Sequence, residues 1–380
     1  MTRDRSIDAL RAVAIAGVVG GHWLVTGLVV DGEGAWRQAS PLTSMPGFVP
    51  VSWILQTLGL FFFAGGFAAA RSARRPALRK LAVPLAVVLG GWTLVLVTAT
   101  ALGLPDGTRS TIIKLVVSPL WFLLPYLALG FATGPLTRAV DRAGPFSLVA
   151  PAVLVVALSD AGLVPAWAAV VAAWSIPWIL GIALARRGRT VLPAAGLLIG
   201  GLTALAVLVV ALDYPASAVG VPGDGRSNLS PPSLFAVALA AAQIGLFLLI
   251  RDACRIRIEM PLVASLNRAA LPIYLIHQSV FVAVVAAAAA IWPQPVPGLL
   301  TAPQDPQWII ARVAWLPFLA LTLAALIRVS WRTTRPQGRL KPALSGKLLD
   351  GPNDESRPTE VIAVRDSDPP SRGRAARQRL

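Results

Sequence analysis

Long and almost uncharged apolar segments constrain the fold of this chain more than any other feature of its sequence. A helix needs about 20 apolar residues to cross the roughly 30 Å hydrocarbon core of a bilayer. Ten segments approach or reach that length, the fifth being the shortest. The predicted spans are Leu10–Val30, Val51–Ala70, Leu81–Leu104, Ile112–Thr133, Phe146–Ser159, Leu163–Ala185, Leu192–Asp213, Ser233–Ile250, Leu271–Trp292 and Trp308–Val329. Because 56% of the 380 residues are apolar and only 14% are charged, a set of ordinary soluble domains is excluded. We predict an all-α, polytopic bundle of about ten transmembrane helices.

The positions of the basic residues predict how the chain is oriented in the membrane. Cytoplasmic loops of membrane proteins are enriched in Lys and Arg. With a cytoplasmic N-terminus, all but five of the 34 basic residues fall on the cytoplasmic side. The five others are Arg37, Arg109, Lys114, Arg226 and Arg312. We therefore expect cytoplasmic N- and C-termini and a multi-pass protein of the plasma membrane. Topology and attraction to anionic lipid account for the net charge of +16, so nucleic acid is not a predicted partner.

A change of composition near residue 330 divides the chain into two predicted parts. Residues 1–330 carry the spans and form the predicted transmembrane domain. From Trp331 the chain is rich in Arg, Pro, Ser and Asp, a composition that buries too little apolar area to offset the entropy lost on ordering. We predict that residues 331–380 are a disordered, basic, cytoplasmic tail. Chemistry is therefore expected inside the bundle or at its rims.

The two histidines of the chain both lie in predicted spans. Polar side chains are costly inside a bilayer, so those that occur there are candidates for function. His22 is placed roughly halfway along the first span, whereas His277 is placed closer to the end of the ninth. Arg11 precedes His22 by eleven residues, so both side chains face the same way, about 16 Å apart along the helix axis. This arrangement suits an anionic carrier whose reactive end reaches inward.

A second basic group lies where the second span meets the cytoplasm. Arg71, Arg74 and Arg75 have i, i+3, i+4 spacing and therefore share one helix face. They are candidates for binding an anionic substrate, although positive-inside topology alone would also explain them.

The ninth span carries further polar residues on one face. Tyr274, His277 and Gln278 lie together there, and Pro272 is expected in the first turn of that helix, where it removes no needed hydrogen bond. No acidic residue lies at a clear mid-membrane position, which argues against a proton-coupled pump. There is also no Cys/His cluster for zinc, no phosphate-binding Walker loop and no G-x-S-x-G elbow. We predict no metal and no permanently bound cofactor.

Four motifs in this order resemble those of the acyltransferase 3 family. The opening run Ile7–Arg11 followed by His22 resembles the family's "(L/I)DxLRxxA" start with its histidine. The segment LFFFAGGFAAARSARR is similar to the family's "FFxxSGF" helix with its basic patch, although Ala64-Gly65 replace a Ser-Gly. The segments SPLWFLLPYLAL and LPIYLIHQ resemble its "WFL" and "YLxH" motifs.

The resemblance implies a membrane enzyme that moves acyl groups from acyl-CoA, its co-substrate, to hydroxyls. It implies that His22 is the base or acyl carrier, and that CoA phosphates bind four cytoplasmic arginines: Arg11, Arg71, Arg74 and Arg75. Residues expected to line the site are Trp121, Tyr274, His277 and Gln278. The acceptor would be a carbohydrate or glycolipid of the cell envelope, and the group acetyl or succinyl. The short tail indicates the form without a fused extracytoplasmic domain.

Two other classes of protein remain open from the sequence. In a polytopic transporter or exporter of a lipid-linked sugar, the two histidines would line a permeation path. The lack of intramembrane carboxylates and the Arg11-to-His22 spacing argue against that interpretation. A scaffolding membrane protein is disfavoured by the polar residues within the spans.

Overall fold

The computed structural model describes residues 4–72, 78–223, 225–254 and 261–333, with backbone only for residues 330–333. This part of the chain is almost entirely helical. Its helices are α1 Arg5–Val25, α2 Pro41–Ser44, α3 Val49–Leu55, α4 Leu58–Ala70, α5 Leu78–Ala101, α6 Asp106–Val117, α7 Leu123–Ala143, α8 Phe146–Asp160, α9 Ala166–Arg187, α10 Ala194–Ala211, α11 Leu234–Ala253, α12 Pro261–Ile291 and α13 Pro306–Thr333. Strands β1 Gly27–Val30 and β2 Trp36–Ala39 form an antiparallel hairpin. Short 3₁₀ helices occur at Pro46–Phe48, Ser118–Phe122 and Arg189–Val191.

The described residues contain nine segments long and apolar enough to cross a membrane. Helix α8 is also apolar but has only 15 residues, so it extends about 22 Å; it matches the predicted short fifth span. The predicted all-α polytopic bundle is confirmed, whereas the cytoplasmic location of the termini stays a prediction. Helix α13 continues to Thr333, and residues 334–380 of the predicted tail lie outside the described residues.

Helix α1 is shifted toward the N-terminus relative to the predicted span Leu10–Val30. It begins after Asp4, whose side chain accepts hydrogen bonds from the backbone N–H groups of Ser6 and Ile7 at 3.1 and 3.4 Å, as an N-cap does. It ends at Val25, and Gly27–Val30 leave the helix to form β1. The predicted C-terminal bound was therefore wrong. His22 consequently lies in the last turn of α1 rather than at its middle.

Two predicted continuous spans are interrupted. Residues 56 and 57 separate α3 from α4, and the 3₁₀ helix Ser118–Phe122 separates α6 from α7. Side chains satisfy the backbone at the first interruption: the Leu58 N–H donates to Gln56 Oε1 at 3.0 Å, and Gln243 Nε2 donates to the Gln56 carbonyl at 3.0 Å. Non-helical backbone at membrane depth is tolerated where it is buried in protein or lines a cavity.

The core of the bundle includes a close contact between α4 and α9. A Cβ on Gly66 would overlap the backbone of Trp178, and one on Gly181 would overlap the backbone of Phe63. Small residues allow such close approach between membrane helices. Phe62 stacks on Trp174 with ring centroids 5.0 Å apart beside this contact. These contacts fix the position of α4, which begins directly after the interruption at residues 56 and 57.

The end of the bundle opposite the hairpin is held by ion pairs. Arg251 contacts Asp4 at 2.9 Å and Arg189 contacts Asp252 at 2.8 Å. This is the end predicted to face the cytoplasm. Helix α5, by contrast, has no buried residue, and its Trp92 Nε1 donates to Ser279 Oγ of α12 at 2.7 Å. Most of α5 is therefore free to face lipid.

Candidate active site

A cavity of about 390 Å³ lies at the hairpin end of the bundle. Its walls come from the last turns of α1, the interruption between α3 and α4, the end of α6 with the following 3₁₀ helix, the middle of α12, and the loop between α10 and α11. Most of its polar lining is neutral and is provided by Thr26, Gln38, Ser40, Ser52, Gln56, Thr57, Ser118, Ser227, Ser230, Tyr274 and Gln278. Lys114 is the one charged residue among the described residues that line it.

His22 lines this cavity together with three other predicted site residues: Trp121, Tyr274 and Gln278. Its Nδ1 lies 3.4 Å from the side-chain amide Nε2 of Gln278 on α12. The two residues are far apart in sequence and meet because α1 packs along α12. This amide holds one edge of the imidazole ring and fixes how the ring faces the cavity.

His277 lies beside His22 but does not line the cavity. The two ring centroids are 5.2 Å apart, and His277 is only 1% exposed. Its Nδ1 lies 2.8 Å from the Tyr274 carbonyl oxygen; because a carbonyl only accepts, Nδ1 carries the proton and the neutral ring leaves Nε2 bare. The predicted location near a helix end was wrong, since α12 runs from Pro261 to Ile291.

The predicted position of Pro272 was also wrong, because the helix begins ten residues earlier than predicted, at Pro261 instead of Leu271. It lies inside α12 rather than in its first turn. Pro in the interior of a membrane helix is tolerated when neighbouring groups satisfy the backbone it frees. The consequence for the site is that Tyr274, His277 and Gln278 come from the middle of a long helix.

Aromatic rings enclose the inner side of the cavity. The rings of Tyr274 and Phe122 meet edge to face with centroids 4.1 Å apart. The Tyr274 hydroxyl is buried and has no hydrogen-bond partner among the described residues, and neither has Gln278 Oε1. Buried polar groups are normally satisfied. Both atoms have almost no accessible surface, so they lie behind the cavity wall rather than on it.

The two predicted donor-binding arginines that the structure describes, Arg11 and Arg71, do not line the cavity. Arg11 is half-buried on α1, eleven residues before His22, and does not line the cavity. Arg71 follows the last residue of α4, with its guanidinium 5.2 Å from the centre of the Phe67 ring. Arg74 and Arg75 lie outside the described residues. Arg11 and Arg71 both belong to the half of the bundle away from the hairpin.

A buried arginine of α13 supports the helix end that carries His22. Arg312 is fully buried, and its Nη2 donates to the Thr26 carbonyl at 2.9 Å. Its guanidinium carbon lies 4.7 Å from the Phe281 ring centre and 4.8 Å from that of Trp308. A cation at a helix C-terminus complements the negative end of the helix dipole, and the two ring faces add cation–π attraction. Arg312 therefore stabilises the last turn of α1.

The loop between α10 and α11 is fastened over the cavity by a carboxylate. Asp160 accepts hydrogen bonds from the Tyr214 hydroxyl and the Leu234 N–H, both at 2.8 Å. Burial and the neighbouring Asp160 raise the pKa of Tyr214, so its hydroxyl stays protonated and donates. Arg226 lies over the Tyr214 ring, 4.0 Å from its centre. The loop residues that line the cavity are thus held in place.

Comparison with protein families gives a match to the acyltransferase domain of the acyltransferase 3 family over residues 4–331. The matched region includes every described helix that contributes to the cavity. The chain belongs to this family. A search of curated proteins and a search of solved structures found no significant match. The protein is therefore a multi-pass membrane acyltransferase, as the four motifs predicted, and the transporter alternative loses its support.

Several cavity residues of this acyltransferase escaped the sequence analysis. Gln56 and Thr57 were hidden in an apolar span, although a glutamine at that depth is itself a signal. Lys114 was counted only as a basic residue outside the membrane, and so was Arg312, which does not line the cavity but supports the end of α1. No group of three or more His, Cys, Asp or Glu residues in the described ranges could hold a metal ion.

Proposed function

We propose that this acyltransferase moves an acyl group, acetyl or succinyl, from cytoplasmic acyl-CoA to a hydroxyl of an envelope glycan or glycolipid at the plasma membrane. The observation that carries the proposal is His22, a titratable imidazole on the wall of a cavity lined mainly by hydroxyls and amides. Such neutral donors and acceptors suit the hydroxyls of a carbohydrate. The cavity lies at the hairpin end, which the charge pattern predicts to be external.

His22 has two chemical routes to the same products. As a general base, it takes the acceptor's hydroxyl proton while the oxygen bonds to the thioester carbonyl carbon. The carbon–sulfur bond then breaks, and the CoA thiolate takes that proton, leaving an ester and free CoA. As a carrier, a ring nitrogen bonds to the carbonyl carbon while the carbon–sulfur bond breaks and CoA leaves as the thiolate. The acceptor oxygen then bonds to the same carbon and displaces the imidazole, and the hydroxyl proton passes to the thiolate, leaving an ester and free CoA.

The surrounding residues fit this chemistry. The side-chain amide of Gln278 contacts Nδ1 of His22. With the amide oxygen turned toward Nδ1, that nitrogen would carry the ring proton and donate it, which would leave Nε2 bare for the substrate. The Tyr274 hydroxyl has no partner among the described residues; after a small rotation of its side chain toward the cavity, it would donate to the oxygen that becomes negative in the transition state. On the donor side, Arg11, about 16 Å before His22 along α1, would bind CoA phosphates together with Arg71, Arg74 and Arg75.

The test is acyl transfer by purified protein from radiolabelled acetyl-CoA or succinyl-CoA to envelope extracts. We expect His22→Ala to lower transfer by about 10²- to 10⁴-fold, the worth of general base catalysis. Val13→Ala is the matched control, because Val13 lies on the exposed side of the same helix. Retention of more than about a tenth of the transfer by His22→Ala would refute its central role. Transfer that depends on a lipid-linked acyl donor instead of acyl-CoA would refute the donor assignment.

A further inference from the structure

Five basic residues were predicted to lie outside the cytoplasmic side, and Lys114 differs from the other four in its contacts. Three of those four are paired with carboxylates: Arg37 with Asp31 at 2.5 Å, Arg109 with Asp106 at 2.9 Å, and Arg226 with Asp160 at 3.9 Å. Arg312 is fully buried between two aromatic rings. The side chain of Lys114 has no ion pair and no hydrogen bond to any described residue. Its positive charge is therefore uncompensated by the protein there.

Lys114 is an exposed residue at the rim of the cavity that carries His22. It lies in the last turn of α6 and lines the same cavity as His22. No carboxylate belongs to the described lining of that cavity. The rest of its polar lining consists mainly of neutral hydroxyl and amide side chains, including Ser40, Ser52 and Gln56. The cavity thus combines neutral groups that suit hydroxyls with one cation that suits an anion.

We infer that Lys114 binds an anionic group of the substrate, a carboxylate or phosphate, while the neutral lining binds its hydroxyls. This inference rests on the proposed function and narrows its substrate class. The anion has two sources: an acidic sugar or phosphorylated glycan as acceptor, or the free carboxylate of a succinyl group on the donor. Electrostatic complementarity of this kind selects between otherwise similar ligands.

Equilibrium binding to the purified full chain separates the two sources. In the acceptor arm, methyl β-D-glucuronide is compared with its neutral counterpart, methyl β-D-glucoside. In the donor arm, succinyl-CoA is compared with acetyl-CoA. We expect the wild type to prefer the charged probe about two- to fivefold in one arm, as one solvent-exposed ion pair allows. Lys114→Ala should abolish that preference, and Lys114→Arg should retain it.

The matched control is Arg109→Ala, which removes a basic residue of the same helix that does not line the cavity. It should leave both ratios unchanged. Affinity for the neutral probes reports whether each variant is folded, and Lys114→Gln serves as a second neutral variant. Loss of preference in the glucuronide arm assigns the anion to the acceptor, and loss in the succinyl-CoA arm assigns it to the donor.

A wild type without charge preference in either arm overturns the inference, as does a preference that survives Lys114→Ala. These outcomes are independent of acyl transfer. If transfer fails while the Lys114-dependent preference remains, the proposed function is wrong and the anion site stands. If transfer occurs without that preference, the proposed function stands and the site is wrong.

Discussion

At the scale of single residues, the site depends on contacts between distant parts of the chain. His22 could be singled out from the sequence because an imidazole in an apolar span is costly and therefore informative. Tyr274, His277 and Gln278 were also singled out, but their contact with His22 could not be derived, because the 5.2 Å approach of the His22 and His277 rings depends on how α1 packs along α12. Periodicity places residues on a helix face but does not say which helix that face meets.

The contact between Gln278 and His22 predicts that the Gln278 amide is needed for catalysis. Gln278→Met should lower kcat by about 10- to 100-fold, as removal of groups that orient a functional imidazole commonly does. The KM for acyl-CoA should change little, because the amide contacts His22 and not the predicted phosphate-binding arginines. Steady-state kinetics of acyl transfer measures both constants. Ser279→Ala is the control, since Ser279 is the next residue but bonds Trp92 and does not line the cavity. A raised KM with normal kcat would make Gln278 a substrate-binding group instead.

At the scale of elements, hydropathy predicted where helices run better than where they stop. Gly27–Val30 were assigned to the first span because their residues are apolar, yet they form β1. Valine suits both a membrane helix and a strand, so a short apolar run cannot separate the two. The interruption between α3 and α4 was missed for a related reason. Gln243, which stabilises it from α11, is nearly 190 residues away.

We expect the cation of Arg312 to stabilise the C-terminal end of α1, which bears His22. Arg312→Met should lower kcat about tenfold with little change in KM for acyl-CoA, because the last turn of α1 loses a cation worth up to about 2 kcal/mol at a helix C-terminus. Arg312→Lys should recover part of the rate, since the charge remains but the planar stacking is lost. The control is Arg328→Met, at an exposed position of the same helix. Equal losses in the Met and Lys variants, with kcat and KM both changed, would indicate a general packing defect instead.

At the scale of the whole molecule, the polytopic all-α architecture followed from composition and segment length alone. A helix that crosses the membrane must be about 20 residues long and mostly apolar, and both properties can be recognised directly in the sequence. The side of the membrane on which each end lies follows only from the charge pattern. That assignment needs its own test.

Cysteine accessibility tests the orientation. In a Cys254→Ser background, Glu33→Cys and Gln304→Cys should react with an impermeant thiol reagent added to intact cells, whereas Ser147→Cys should not. All three positions are exposed; the first two lie at the hairpin end and the third at the start of α8, at the opposite end. Labelling after cell lysis verifies that each thiol is reactive. Labelling of the Ser147→Cys variant in intact cells would reverse the orientation and place the donor arginines on the wrong side.

The location of His22 in the last turn of α1, eleven residues beyond Arg11, has a consequence for transport. Under the proposed function, a multiply charged nucleotide carrier bound at the arginines would never enter hydrocarbon, and a bulky glycan would need only to reach the cavity. Only the small acyl group would pass from one side to the other. Since the thioester would supply the free energy and the two substrates would bind from opposite faces, the proposed reaction would be vectorial: it would export an acyl group without a gradient and without a separate carrier.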